Sequence, residues 1–167
     1  MTRTPIHDPY RAVIQRFNRR GVRYVVIGMS GINYYAKRPS ETFATLDYDI
    51  LLEPTLRNVR QAVQSLTDLG FTLGTASGRL EPEQLTQVVR DRRTLIVTTT
   101  EGTVIELMLE VSGFPFSELL RDAATFTVRG VPVKVGRLTK LLKSKQVADR
   151  PKDRQFLKRY QSLLEEA

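Results

Sequence analysis

The eight residues YVVIGMSG, numbered 24–31, constrain the fold of this chain more than any other stretch. Their dense apolar run indicates a β-strand, Val22 to Gly28, that is covered on both faces. A glycine turn follows at once and opens a short predicted helix, Ser30 to Lys37. Small residues let the backbone approach a ligand, and the free N–H groups of a helix start suit a phosphate, so Gly28 and Ser30 are candidate nucleotide-binding residues. Many α/β turns carry glycine for steric reasons alone, and that alternative stays open.

Helix and strand patterns continue on both sides of this stretch. In chain order we predict a helix from Pro9 that stops at Gly21, a strand Leu46–Leu52, a helix that Thr55 caps, a helix Glu81–Asp91, hairpin strands Thr94–Thr100 and Thr103–Val111, a short helix Ser117–Asp122, a hairpin Thr125–Val135, and helices Arg137–Ala148 and Pro151–Glu165. Hairpin and crossover connections both occur, so the predicted fold class is α+β, with a mixed sheet flanked by helices. We expect one domain over residues 1–167, with residues 136–167 as a basic helical segment packed on it.

Composition excludes several classes of protein. The chain has 167 residues, about one domain, and 41% of them are hydrophobic, enough for a core. It has no cysteine and only one histidine, His7, which excludes disulfide scaffolds, thiol nucleophiles and two-histidine metal sites. No apolar run approaches the roughly 20 residues of a membrane span, so we expect a cytoplasmic protein without a membrane partner. Its chemistry must therefore use carboxylates, hydroxyls, lysine and arginine.

Two aspartates lie inside an apolar strand. Strand side chains alternate, so Asp47 and Asp49 emerge on the same face, about 7 Å apart along the backbone. Glu106 lies among apolar neighbours in a later strand and completes a three-carboxylate cluster if the two strands are adjacent, whereas Glu110, nearer the strand end, is expected to be solvated. Such a cluster favours Mg²⁺, and two metals so held can clamp the attacking and leaving oxygens of a phosphoryl displacement. A solvated strand end is the alternative.

The C-terminal part of the chain is strongly basic. The protein carries a formal net charge of +8, and residues 137–159 contain nine lysines and arginines against two aspartates. Such a concentration is typical of a polyanion partner, although a solvated helix face is the alternative for any single residue. Lys145 differs because it continues the apolar stripe of its helix, so it must reach a carboxylate, a phosphate or solvent. With Arg150 and Lys152 it is a candidate for binding a triphosphate.

The order of these motifs resembles the nucleotidyltransferase superfamily, whose fold is shared with DNA polymerase β. The resemblance rests on Tyr24 to Ser30, on Asp47-x-Asp49 in the next strand, and on an acid in a later strand. The tail, with Leu141-Leu142-x-x-Lys145 and then Arg150-Pro-Lys152-Asp153, is similar to AbiEii- and MenA-type nucleotidyltransferases, which are often toxins of toxin–antitoxin or phage-defence pairs.

This resemblance implies a magnesium-dependent transfer of a nucleoside monophosphate from a nucleoside triphosphate to an acceptor hydroxyl. It implies that the turn grips the triphosphate, that the aspartates hold magnesium, and that Glu106 binds metal or activates the acceptor hydroxyl. The basic tail favours an RNA acceptor, particularly a tRNA end, and an antitoxin partner is a further expectation. The alternative is an inactive nucleotidyltransferase fold that binds RNA or a partner protein, suggested by Met29 and by the apparent insertion at Pro39–Ala44.

Overall fold

A computed structural model describes residues 9–43 and 47–166, with the side chains of the described residues given as far as residue 162. His7, Ala44, Leu46 and the side chains beyond residue 162 lie outside that description. Among the described helices, none combines the length and the apolar character that crossing a membrane requires.

In the part of the chain that the structure describes, eight strands form one mixed sheet, in the order β4-β3-β5-β6-β2-β1-β8-β7. Their bounds are β1 Tyr24–Ile27, β2 Asp47–Leu52, β3 Thr72–Thr75, β4 Gly78–Arg79, β5 Leu95–Thr98, β6 Val104–Met108, β7 Ala124–Val128 and β8 Val131–Val135. β2 runs antiparallel to β1 but parallel to β6, and β5 runs antiparallel to β6. The predicted mixed sheet and both predicted hairpins are therefore confirmed.

Within the described residues, seven α-helices cover the sheet. They are α1 Pro9–Arg20, α2 Gly28–Asn33, α3 Leu56–Asp68, α4 Leu85–Asp91, α5 Phe116–Arg121, α6 Leu138–Ala148 and α7 Pro151–Glu166. α1 and α3 pack together on one side, where Tyr10 of α1 stacks on Tyr48 of β2. α2 lies on the other side and carries α6, because Gly31 leaves room for the side chain of Leu141.

β1 has no polar face because the core covers it on both sides. All four of its residues are at most 2% exposed, as expected for a strand covered on both sides. The cap predicted for α3 is also present, since the hydroxyl of Thr55 accepts a hydrogen bond from the backbone N–H of Asn58.

Two helices differ from their predicted bounds by more than one residue. The helix predicted over Ser30–Lys37 begins at Gly28 and ends at Asn33, after which the backbone N–H groups of residues 34–36 donate to carbonyls three residues back. The carboxylate of Glu41 then accepts the backbone N–H groups of Lys37 and Arg38. Those two N–H groups are the ones that a longer helix would have bonded to its own carbonyls. The helix predicted from Glu81 starts as a 3₁₀ turn at Pro82, and its α-helical part begins only at Leu85.

Candidate active site

The parallel pairing of β2 with β6 brings two of the three predicted carboxylates together. In this register Asp49 stands opposite Glu106. Asp47 stands opposite Val104, two residues nearer the start of both strands. Because opposite residues share a face, Asp49 and Glu106 project side by side from the same side of the sheet. Glu110, predicted to be solvated, is exposed.

The glycine turn after β1 lies directly against Asp49. Gly28 has a φ of +65°, and a Cβ added to it would collide with the carboxylate of Asp49. The hydroxyl of Ser30 donates to the carbonyl of Ile27 over 2.8 Å and accepts from the backbone N–H of Asp49 over 3.0 Å. Ser30 is buried. In this structure both residues therefore position Asp49, a role that the sequence did not predict for them.

The two adjacent carboxyl groups are joined by a hydrogen bond. Burial, followed by the negative charges of Glu106 and Asp47, raises the pKa of Asp49 to about 7. Burial and the charge of Asp47 also raise the pKa of Glu106, and the hydrogen bond with Asp49 lowers it in part. The hydrogen bond between the two carboxyl groups raises the pKa of Asp49 and lowers that of Glu106, so Asp49 holds a proton more strongly than Glu106 does. The other oxygen of Asp49, Oδ1, is buried and has no hydrogen-bond partner.

These features fit a divalent cation, although the full predicted cluster is not assembled. Carboxylate oxygens are the ligands that Mg²⁺ prefers. A cation here would bind Oδ1 of Asp49, which has no hydrogen-bond partner, and would reduce the repulsion between Asp49 and Glu106. Within residues 9–43 and 47–166, however, no group of three or more acidic or histidine side chains is arranged to hold a metal ion. In the pairing of β2 with β6, Asp47 lies opposite Val104, two residues before the position opposite Glu106. Asp47 is exposed there, and its negative charge raises the pKa of both Asp49 and Glu106.

The candidate cations of α6 and α7 lie beside this pair. Lys145 is 13% exposed in its side chain, and its ammonium lies 3.6 Å from Oδ1 of Asp153. Burial lowers the pKa of Lys145, and the charges of Asp153 and Asp49 oppose that effect. Lys152 and Arg150 in turn lower the pKa of Glu106 through their positive charge. The structure thus gathers the predicted cations and acids into one region.

Asp153 organises these cations. Its buried carboxylate accepts hydrogen bonds from the backbone N–H of Arg150 and from both ends of the Arg150 guanidinium, at 2.7–3.2 Å. The ring centre of Phe156 lies 4.8 Å from the Lys145 ammonium, a cation–π contact. From the sequence, Lys145, Arg150 and Lys152 were predicted as the binding residues, and Phe156 was not included. Its signal in the sequence is its spacing, since Phe156 follows Asp153 by three residues on one helix and so shares its face.

A separate cavity lies away from the carboxylates. It measures about 440 Å³, is lined by Val63, Leu73, Leu80 and Leu85 among others, and lies beside α3. None of Asp47, Asp49 and Glu106 lines it.

The comparisons with known proteins concern the fold. No protein-family model matches the chain, and no curated protein matches it. The lincomycin-bound structure of the lincosamide antibiotic adenylyltransferase LnuA is similar to it, with a TM-score of 0.59 and 12% identity over 92% of this chain and 95% of that chain. JHP933 from Helicobacter pylori has a TM-score of 0.42 and 11% identity over 82% of this chain and 53% of that chain, a likeness too weak to support an argument. The predicted nucleotidyltransferase fold is confirmed by the first likeness.

Proposed function

We propose that this protein is a magnesium-dependent nucleotidyltransferase, which moves a nucleoside monophosphate from a nucleoside triphosphate to an acceptor hydroxyl. The observation that carries the proposal is the Asp49–Glu106 pair, with its orphaned buried oxygen, between the Gly28 turn and Lys145. LnuA, which shares the fold, is an adenylyltransferase, and this supports the reaction class. The same fold without activity, serving as an RNA- or protein-binding module, is the alternative.

In this reaction the acceptor oxygen forms a bond to the α-phosphorus while the bond from that phosphorus to the bridging oxygen breaks. Pyrophosphate leaves, and the hydroxyl proton passes to a base, for which Glu106 is the candidate. Asp49 and Glu106 would hold magnesium, and Asp47 would complete a two-metal site. Magnesium supplies neutralisation of the phosphate charge when bound.

The remaining site residues position the donor. Gly28 and Ser30 hold the carboxylate of Asp49 in place, and the backbone of their turn would meet the triphosphate. Lys145, Arg150 and Lys152 supply positive charge for the phosphates, and Asp153 fixes the first two of them. Positioning and charge neutralisation are most of what phosphoryl transfer asks of a protein, so histidine and cysteine are not required.

For the acceptor we propose RNA, particularly a tRNA end. The exposed lysines and arginines of α6 and α7 support this choice, because positive side chains bind the phosphate backbone without regard to sequence. A role as a toxin, held in check by an antitoxin protein, is the corresponding cellular proposal. It rests on the resemblance of the tail to AbiEii- and MenA-type proteins.

Label transfer tests the proposal. The protein is incubated with each α-³²P-labelled nucleoside triphosphate, Mg²⁺ and total tRNA, and parallel reactions contain a lincosamide or a protein mixture as acceptor. We expect label on RNA, lost in Asp49→Asn and Glu106→Gln and retained in Glu110→Gln, the matched change of an exposed glutamate near the end of the same strand. RNA retention without transfer, unaltered by Asp49→Asn, would favour the binding module instead.

A further inference from the structure

Two rows of side chains cross the candidate site along the sheet. The first row runs from Gly74 of β3 through Ile96 and Glu106 to Asp49. The second row runs from Thr72 through Thr98 and Val104 to Asp47. Since opposite residues share a face, both rows continue the surface that carries the carboxylates, out to the β3 side of the sheet.

The two halves of this surface differ in charge. At one end lie Asp47 and Asp49, with the Lys145 ammonium close enough to act on Asp49. Gly74 in turn stands opposite Arg79 of the edge strand β4. Between Glu106 and that edge strand, the described residues of these rows are glycine, isoleucine, valine and threonine, and none of these is charged. Ile96 and Val104 are half-exposed and do not belong to the packed core. We call Gly74, Ile96, Thr98 and Val104 the neutral face.

The geometry of phosphoryl transfer indicates that the triphosphate binds the charged half of this surface and the acceptor binds the neutral face. In phosphoryl transfer the attacking and leaving oxygens lie roughly in line on opposite sides of the phosphorus. Pyrophosphate carries the negative charge that leaves, so it departs toward Lys145, Arg150 and Lys152. The acceptor hydroxyl must therefore approach from the other side of Glu106, which is the neutral face.

We infer that the neutral face binds the acceptor and receives the uncharged terminal nucleoside of an RNA 3′ end. The inference rests on the proposed function and adds the surface and the part of the acceptor that it recognises. Ile96 and Val104 offer apolar contact to a base or ribose, and the Thr98 hydroxyl offers a hydrogen bond. Because none of Gly74, Ile96, Thr98 and Val104 is a cation, a phosphate would gain nothing on them, so the preceding phosphates lie outside the neutral face.

Photocrosslinking tests the placement without requiring catalysis. An RNA oligonucleotide that ends in 4-thiouridine is irradiated with the full-length protein, Mg²⁺ and a triphosphate analogue blocked at the α–β bridge. We expect crosslinks in the peptides that contain residues 94–108, and an RNA with an internal 4-thiouridine should shift them elsewhere. Crosslinks from the terminal base confined to α6 and α7, or to residues of the α3 cavity, would overturn the inference.

A charge variant tests the same surface kinetically. Thr98→Glu places a negative charge on the neutral face about two strand spacings, roughly 10 Å, from Asp47. We expect kcat/KM for RNA to fall at least tenfold while the equilibrium Kd for the triphosphate stays within twofold, and Thr98→Ser should retain the wild-type value. Thr127→Glu adds the same charge at an exposed position of the far edge strand and is the control.

The outcomes separate the two proposals. If wild-type protein transfers label to RNA and Thr98→Glu leaves kcat/KM for RNA unchanged, the inference is wrong and the proposed function stands. Transfer to a neutral small molecule but not to RNA would also overturn it. If no acceptor is labelled, the proposed function fails, and the crosslinks alone then decide whether RNA ends bind this face.

Discussion

Replacing Asp49 with asparagine should make the magnesium-free protein more stable while abolishing its activity. When Asp49 of the folded protein is protonated, its carboxyl group can donate a hydrogen bond to Glu106. An asparagine has nearly the same shape and offers the same donor through its amide, but it never becomes charged. The substitution therefore keeps the hydrogen bond and removes the charge that this site tolerates poorly.

The size of the effect follows from the pKa of Asp49. Its rise from 3.8 to about 7 corresponds to about 4 kcal/mol, at about 1.4 kcal/mol for each pKa unit. A carboxyl group with a raised pKa binds more protons when folded, so stability is lost as the pH rises from about 4 through 7. The variant should therefore exceed wild type by about 4 kcal/mol at pH 8, by about 2 kcal/mol at pH 5, and by less than about 1 kcal/mol at pH 4.

Urea unfolding with EDTA, at those three pH values, measures this difference in the free energy of unfolding. Adding Mg²⁺ at pH 8 should narrow the gap, because only the wild-type protein binds the ion well. A variant that is less stable than wild type at pH 8, or a difference that does not grow with pH, would refute the account of Asp49. Glu110→Gln, which changes an exposed carboxylate, should show no such trend.

Three further variants test separate parts of the structure. Gly28→Ala forces a Cβ against the Asp49 carboxylate at a positive φ, so activity should fall at least a hundredfold; wild-type kinetics would show that the close approach is not needed. Lys145→Ala should raise the equilibrium Kd for the triphosphate about tenfold, near 1.4 kcal/mol, while the exposed Lys143→Ala should not; equal effects would remove Lys145 from the donor site. Thr55→Ala should lower the free energy of unfolding by about 1 kcal/mol with activity unchanged, and an unaltered urea midpoint would contradict the cap.

Most helices and strands could be predicted because the patterns that specify them involve residues close together in the sequence. The apolar run of β1, the Thr55 cap and both hairpins depend on neighbours in sequence, and the structure has them. Beyond the early end of α2, the carboxylate of Glu41 accepts backbone N–H groups that a longer helix would have used, and the helix predicted from Glu81 starts as a 3₁₀ turn. Sequence spacing alone contains no sign of the Glu41 contact.

The site was harder to predict, because it depends on which distant strands become neighbours. Alternation put Asp47, Asp49 and Glu106 on known faces of their strands, but only the pairing of β2 with β6 decides that Glu106 faces Asp49 rather than Asp47. The role of Ser30 was missed for the same reason, since its partner lies 19 residues away. Lys145 was predictable as a buried cation, whereas its contact with the Phe156 ring depends on how α6 meets α7.

A crystal of the full chain grown with Mn²⁺ and a non-transferable triphosphate analogue tests the central claim most directly. The account predicts an anomalous manganese peak bound by Asp49 and Glu106, with the triphosphate extending toward Lys145 and Arg150. A triphosphate bound in the α3 cavity, or no manganese at the Asp49–Glu106 pair, would contradict it.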